Sequence, residues 1–147
     1  GEVHISLGMT SRDEEEAILE LFSGYENRVV LYSCTSGYPV PFDSVCLLEI
    51  KRLHDAYADK LSAIGFSGHH LGIAIDIAAY TLGAKWIERH FTKDRTWKGT
   101  DHAASLEAAG LSKLVRDIHA THAALQYKPN EILDIETEQR DKLKYRK

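Results

Sequence analysis

Short β-branched runs alternate four times with amphipathic stretches along this chain, and that alternation restricts the fold more than any other feature. It calls for parallel strands joined by crossover helices, an α/β arrangement. The first run is Val3 to Leu7. Behind it, Ser11-Arg-Asp-Glu14 has capping-box spacing, in which the Ser11 hydroxyl and the Glu14 carboxylate each accept a backbone amide of the other. A helix is expected to about Phe22, with Ile18, Leu21, Phe22 and Tyr25 on one face and Gly24 stopping it. The second run, Val29 to Cys34, is apolar without alternation, as in a strand covered on both faces.

Pro39 and Pro41 then force a long loop, because neither can donate to a ladder or sit inside a helix. The next helix is expected from near Asp43, with Cys46, Ile50, Leu53 and Tyr57 as its apolar stripe, which makes Cys46 a packed thiol. A third strand, Ala63 to Ser67, leads to a helix from about Leu71 to Leu82. That helix is apolar nearly all round, so burial is expected. The fourth strand is Trp86 to His90, with Ala63, Gly65, Ala84 and Trp86 expected on the inward face. A loop of about a dozen residues follows, then a helix carrying Leu111, Leu114, Val115, Ile118 and Leu125. These elements make residues 1–125 one domain. Residues 126–147 are charged and without apolar periodicity, and read as an arm or linker stub.

Composition narrows the function. With 18 Lys+Arg against 22 Asp+Glu the net charge is −4, and no basic block is long enough to track a phosphate backbone. No nucleic-acid partner is expected. The most apolar stretch, Leu71 to Ala84, is interrupted by Asp76 and is too short to span a membrane. The N-terminal Gly-Glu-Val-His-Ile-Ser lacks the basic and apolar regions of a signal peptide, and Cys34 and Cys46 alone cannot staple a scaffold, so a reducing cytoplasm is expected.

In parallel α/β folds, ligands bind at the carboxyl ends of the strands. Polar residues collect at every such end: Ser6; then Thr35, Ser36 and Tyr38; then Ser67, His69 and His70; then Glu88 and His90. Along Trp86-Ile87-Glu88-Arg89-His90 the period of two puts Glu88 and His90 on one side and Ile87 and Arg89 toward the helices. Ser67 and His69 share a face in the same way. Adjacent parallel strands lie roughly 4.8 Å apart, so His69 and His90 at matching heights reach one metal ion. Two imidazoles beside a carboxylate suit Mn²⁺, Fe²⁺, Co²⁺ or Zn²⁺. The loop Thr96-Trp-Lys-Gly-Thr-Asp-His102 brings Trp97, Lys98, Asp101 and His102 toward the same rim.

Five segments in order, Ser6-Leu-Gly-Met9, Cys34-Thr-Ser-Gly-Tyr-Pro39, Gly65-Phe-Ser-Gly-His69, Gly83-Ala-Lys-Trp-Ile-Glu-Arg-His-Phe-Thr92 and Lys98-Gly-Thr-Asp-His-Ala-Ala-Ser-Leu-Glu107, make the chain resemble the sialic acid synthases, also called N-acetylneuraminate synthases. The resemblance runs from about Val3 to Leu125. It implies a (β/α)₈ TIM-type barrel, of which the last four βα units are present, a half-barrel. It implies condensation of phosphoenolpyruvate with N-acetylmannosamine, its 6-phosphate or a related amino sugar, giving a nine-carbon 2-keto sugar acid and phosphate. The implied cofactor is a divalent metal, Mn²⁺ first, with Mg²⁺ or Co²⁺ as substitutes. Carried over by motif, His69 and His90 match the metal ligands and Glu88 the carboxylate beside them, these three forming the catalytic set. Ser6 and Ser67 match residues around phosphoenolpyruvate, and Tyr38 and Asp101 residues near the sugar, while Ser36 stands where some members carry an asparagine. Two departures, Leu7 for a common threonine and Ala108-Ala109 for a proline-containing helix start, touch no metal ligand.

A barrel of this kind needs roughly 250 residues, and the resemblance omits the family's early strands and their lysines for phosphoenolpyruvate. The implied partner is the missing N-terminal barrel half, or a second copy in a homo-oligomer. The competing expectation is a catalytically inert half-barrel that acts through assembly.

Overall fold

The structure is a computed structural model that describes residues 1–144; the last three residues of the expected arm lie outside the described residues. Four strands, β1 (Val3–Ser6), β2 (Val29–Cys34), β3 (Ala63–Gly68) and β4 (Trp86–Arg89), form one parallel sheet in the order β1-β2-β3-β4. Helices α1 (Arg12–Leu21), α2 (Leu48–Tyr57) and α3 (Ala74–Thr81) alternate with them, and α4 (Ala108–Ala124) follows β4.

One sheet face carries the core. Val29, Leu31, Ile64 and Phe66 point toward Ile50 and Leu53 of α2, Ala79 of α3 and Ile18, Leu19 and Phe22 at α1. Among the described residues, the buried hydrophobics of the opposite face form a small cluster of Val30, Tyr32 and Ala63. Tyr32 lies so close over Gly65 that a Cβ there would meet its ring at 2.6 Å, and its hydroxyl bonds His4 Nδ1 at 2.8 Å. The outer strands are exposed: among the described residues, β1 and β4 each pair along one edge only. This is half of a barrel wall, helices outside and a concave face open, the α/β half-barrel expected of the sequence.

The capping box at Ser11 and Glu14 forms, with the Glu14 carboxylate accepting from Ser11 N at 2.7 Å. Other expectations are corrected. The helix expected from Asp43 is a short 3-10 turn at Phe42–Ser44 followed by a break, and α2 starts at Leu48. Cys46 sits in that break at φ 55°, exposed, so it is not a packed member of the stripe. The third helix begins at Ala74, after Gly72 turns the chain at φ 77°. Ala84 is not on the concave face: it lies in the turn before β4, its N–H bonded to Ala79 O, within the helix-side core. In α4 Leu114 is the buried residue, while Leu111 and Val115, and Leu125 just past the helix end, stay substantially exposed. The charged segment is not wholly irregular, because α5 (Asp134–Leu143) forms there, its first turn held by the Glu136 carboxylate on Leu133 N and Lys128 Nζ. No described helix is long and apolar enough to cross a membrane.

Candidate functional site

The register fixes what meets at the carboxyl end of the sheet. Cys34 lies beside Ser67, and Ser67 beside Glu88, on three successive strands. The side chains of Ser67 and Glu88 point into the concave face, and Ser67 Oγ donates to Glu88 Oε2 at 2.6 Å. One residue past β3, His69 turns its ring toward His90, with ring centroids 5.0 Å apart and planes nearly perpendicular. One nitrogen of each imidazole and a carboxylate oxygen of Glu88 lie within 4.8 Å of one another.

His69 is oriented from behind by a hydrogen bond, and His90 has a carboxylate nearby. His69 Nδ1 stands 3.1 Å from the Thr35 carbonyl oxygen, which only accepts, so Nδ1 donates there and Nε2 is the nitrogen left for a ligand. His90 Nδ1 stands 3.5 Å from the Asp101 carboxylate. Metal-bound histidines are commonly held in this way, by a carbonyl or carboxylate on the second ring nitrogen. The donor set of two imidazoles and one carboxylate therefore fits a divalent transition ion.

Tyr38 stacks edge-on against His69 at 4.6 Å between centroids and tilts over His90 at 5.6 Å. Its loop contains a cis peptide at Tyr38–Pro39 and is tied to the next strand end by Val40 N on His69 O at 3.0 Å. Asp101 closes the other side, where it lines a cleft of about 360 Å³ with His90, Gly99, Thr100 and His102. The structure thus gathers Ser67, His69, Glu88, His90, Tyr38 and Asp101 into one patch. Ser36 sits at the rim and packs on Gly8, where an added Cβ would collide with its Oγ and stand 3.0 Å from Cys34 Sγ. Ser6 pairs with Tyr32, at the level of Gly65 and Trp86, one pleat below the Ser67–Glu88 pair.

His70 separates from the other strand-end histidines. It is fully buried on the helix side, with Nε2 3.3 Å from Asp76 and 3.1 Å from Arg89 Nη1. Thr35, whose carbonyl orients His69, was visible in the sequence only as a strand-end residue, since a backbone contact leaves no side-chain signal. Cys34, beside the site, is unsuited to nucleophilic work: burial pushes its thiol up, and hydrogen bonding with Ser67 and Ser36 only partly offsets that.

Comparison with known proteins places the chain in a family. The model of the NeuB family matches residues 1–130. The chain is 40% identical over 139 residues to N-acetylneuraminate-9-phosphate synthase of Homo sapiens, covering 95% of this chain and 38% of that protein. It is 41% identical over 124 residues to N,N'-diacetyllegionaminic acid synthase of Campylobacter jejuni, covering 82% of this chain and 36% of that one. Among solved structures, the N-acetylneuraminic acid synthetase of Leptospira borgpetersenii, crystallised with citrate, superposes with a TM-score of 0.79 at 32% identity, over 99% of this chain and 51% of that one. The chain spans between about a third and a half of the length of these relatives.

Proposed function

This chain belongs to the NeuB family, the sialic acid synthases, and on that premise we propose that it forms the metal-binding half of a barrel enzyme that joins phosphoenolpyruvate to an amino sugar. Its relatives are synthases of sialic acid and related sugar acids. In the proposed reaction, C3 of the enol phosphate bonds to the aldehyde carbon of N-acetylmannosamine, its 6-phosphate or a close analogue. Water adds at C2 and inorganic phosphate leaves, giving a nine-carbon 2-keto sugar acid. The observation that carries this reading is the convergence of His69, Glu88 and His90 donor atoms within 4.8 Å at the carboxyl ends of adjacent strands.

His69 and His90 would hold a divalent ion, Mn²⁺ first and Mg²⁺ or Co²⁺ as substitutes, and Glu88 stands beside them. Such an ion supplies Lewis acidity toward a carbonyl oxygen. The chain's own groups do the rest. The Thr35 carbonyl keeps His69 in the tautomer that presents Nε2 outward. Ser67 holds one carboxylate oxygen of Glu88 and leaves the other free to orient, or take a proton from, the water that adds at C2. Ser6 offers a hydroxyl to phosphate or carboxylate oxygens without adding charge. Tyr38 and Asp101 flank the position of the sugar, with Ser36 at its edge. The reaction belongs in the cytoplasm on this reading, in keeping with two free thiols.

The rest of the barrel is the implied partner, either the N-terminal half or a second copy of this chain. The unpaired edges of β1 and β4 and the exposure of Trp86 on the concave side support it. The same open edges favour a second reading, in which the 147-residue chain keeps the fold and the ion but acts only through assembly. Phosphate release from phosphoenolpyruvate, measured with Mn²⁺ and each candidate sugar, separates the two. Sugar-dependent release from the chain supplied with the complementary half supports the enzyme. No release under that condition, with metal still bound, supports the inert reading.

A further inference from the structure

Directly behind the candidate metal centre lies a charged cluster that the proposed chemistry does not use. Arg89, Asp76 and His70 have side chains 2%, 0% and 0% exposed. Arg89 alternates with Glu88 and His90 along β4, so as they face the cavity its guanidinium passes under them toward α3. There Nη1 donates to Asp76 Oδ2 at 2.6 Å and to Gly72 O at 2.9 Å. Nη2 donates to His70 O at 2.8 Å and to Ala104 O at 3.2 Å.

Those acceptors are informative. His70 and Gly72 belong to the loop that carries His69, Ala104 ends the short turn that follows Asp101, and Arg89 itself precedes His90. One guanidinium therefore joins the three segments that carry His69, His90 and Asp101. The packing is tight at Gly68, where a Cβ would stand 2.8 Å from Phe66 Cε1, 3.0 Å from His70 Cε1 and 3.1 Å from Arg89 Cδ.

A purely stabilising role explains this arrangement poorly. Burying a charge pair costs desolvation that its attraction often fails to exceed. Among the described residues, this cluster also leaves Arg89 Nε, Asp76 Oδ1 and His70 Nδ1 buried without hydrogen-bond partners. What the arrangement supplies is geometry: a planar fork whose two terminal nitrogens fix separate carbonyls at once, which a lysine ammonium cannot reproduce.

We propose that Arg89 is a positioning residue, its buried guanidinium clamping the loops of His69, His90 and Asp101 into the one arrangement in which the two imidazoles converge. The proposal rests on the metal-centre reading only for its metal readout, because the placement of the rings is measurable without an ion.

The test uses the 147-residue chain, Arg89→Lys, and Arg52→Lys as a control that weakens a separate charge network, the one joining α1 to α2 through Glu15 and Glu49. Two readouts are taken: imidazole ¹H–¹⁵N spectra of the metal-free protein, including the His69–His90 ring contact, and a Co²⁺ titration followed by visible absorption. Arg89→Lys is expected to retain its fold by circular dichroism, to broaden or double the His69 and His90 signals, and to bind Co²⁺ about 10–100-fold more weakly, the usual effect of losing an outer partner. Arg52→Lys is expected to lower the melting temperature and leave both readouts unchanged. Unaltered ring signals in Arg89→Lys, or the same loss in Arg52→Lys, overturn the proposal. If the unsubstituted chain takes up no Co²⁺, the metal reading fails and the ring signals alone decide the clamp. If Arg89→Lys does not fold, Asp76→Asn is judged by the same readouts. In the unsubstituted chain, a freely rotating Arg89 guanidinium, seen as averaged Nη signals, refutes the clamp without any variant.

Discussion

Replacing Glu15 by glutamine should destabilise the chain measurably while leaving the strand-end cluster untouched. Glu15 lies on α1 with its side chain 4% exposed, and Arg52 of α2 reaches it with both terminal nitrogens, at 2.9 and 2.8 Å. Arg12 adds a third contact at 3.1 Å but is 55% exposed, against 29% for Arg52. Hydrogen bonds to charged groups contribute about 1.5–3 kcal/mol each when buried. The Arg12 contact is largely screened by solvent, and the glutamine amide oxygen retains one acceptor. The net loss is therefore about 2 kcal/mol, or roughly 4–8 °C in melting temperature at this chain length. The effect should depend on pH in one direction. Burial pushes the Glu15 carboxyl up, but hydrogen bonds from Arg52, Tyr57 and Arg12 outweigh it and hold the group below its ordinary value of 4.5. A depressed folded-state pKa means that the stabilisation is complete above the ordinary, unfolded value and fades as pH falls below it through the folded pKa. Urea unfolding followed by circular dichroism at pH 7 and at steps below 4.5 measures this. The gap between the parent and Glu15→Gln should close as the solution becomes acidic. Equal stability at pH 7, or a gap that persists or widens in acid, would refute the reasoning.

Three further outcomes follow from the geometry. His69→Ala and His90→Ala should each weaken Mn²⁺ binding, measured by calorimetry, by more than the 10–100-fold typical of outer partners, with the circular dichroism spectrum unchanged. Gly8→Ala should lower the melting temperature, because the new Cβ collides with Ser36 Oγ and crowds Cys34 Sγ; overpacking of this kind costs about 1–3 kcal/mol. Iodoacetamide at neutral pH should label exposed Cys46 before Cys34, whose thiol is pushed up by burial, as peptide mass spectrometry would show.

Much of the arrangement is legible in the sequence because it is carried by periodicity. The unalternating apolar run Val29 to Leu31 marked a strand covered on both sides, and the period of two at Trp86 to His90 placed Glu88 and Arg89 on opposite faces, as found. What periodicity cannot encode is a left-handed residue. Cys46 falls on the spacing of Ile50, Leu53 and Tyr57, yet its φ of 55° breaks the chain before α2, so the stripe begins one turn later. In the third helix Asp76 interrupts an apolar stretch, and a lone carboxylate in such a place implies a buried cation. Arg89, which the period of two turns toward the helices, is that cation, but the pairing crosses two elements and leaves no local spacing. The arm after Gln126 gave no apolar period, and α5 is held by local contacts of Glu136 and not by packing.

Anomalous scattering from crystals of the chain grown with Mn²⁺ tests the metal centre most directly. A single peak within bonding distance of a nitrogen of His69 and a nitrogen of His90, with Glu88 beside it, is the expected result. No peak between those two imidazoles at saturating Mn²⁺, or a peak held by other side chains, would contradict it.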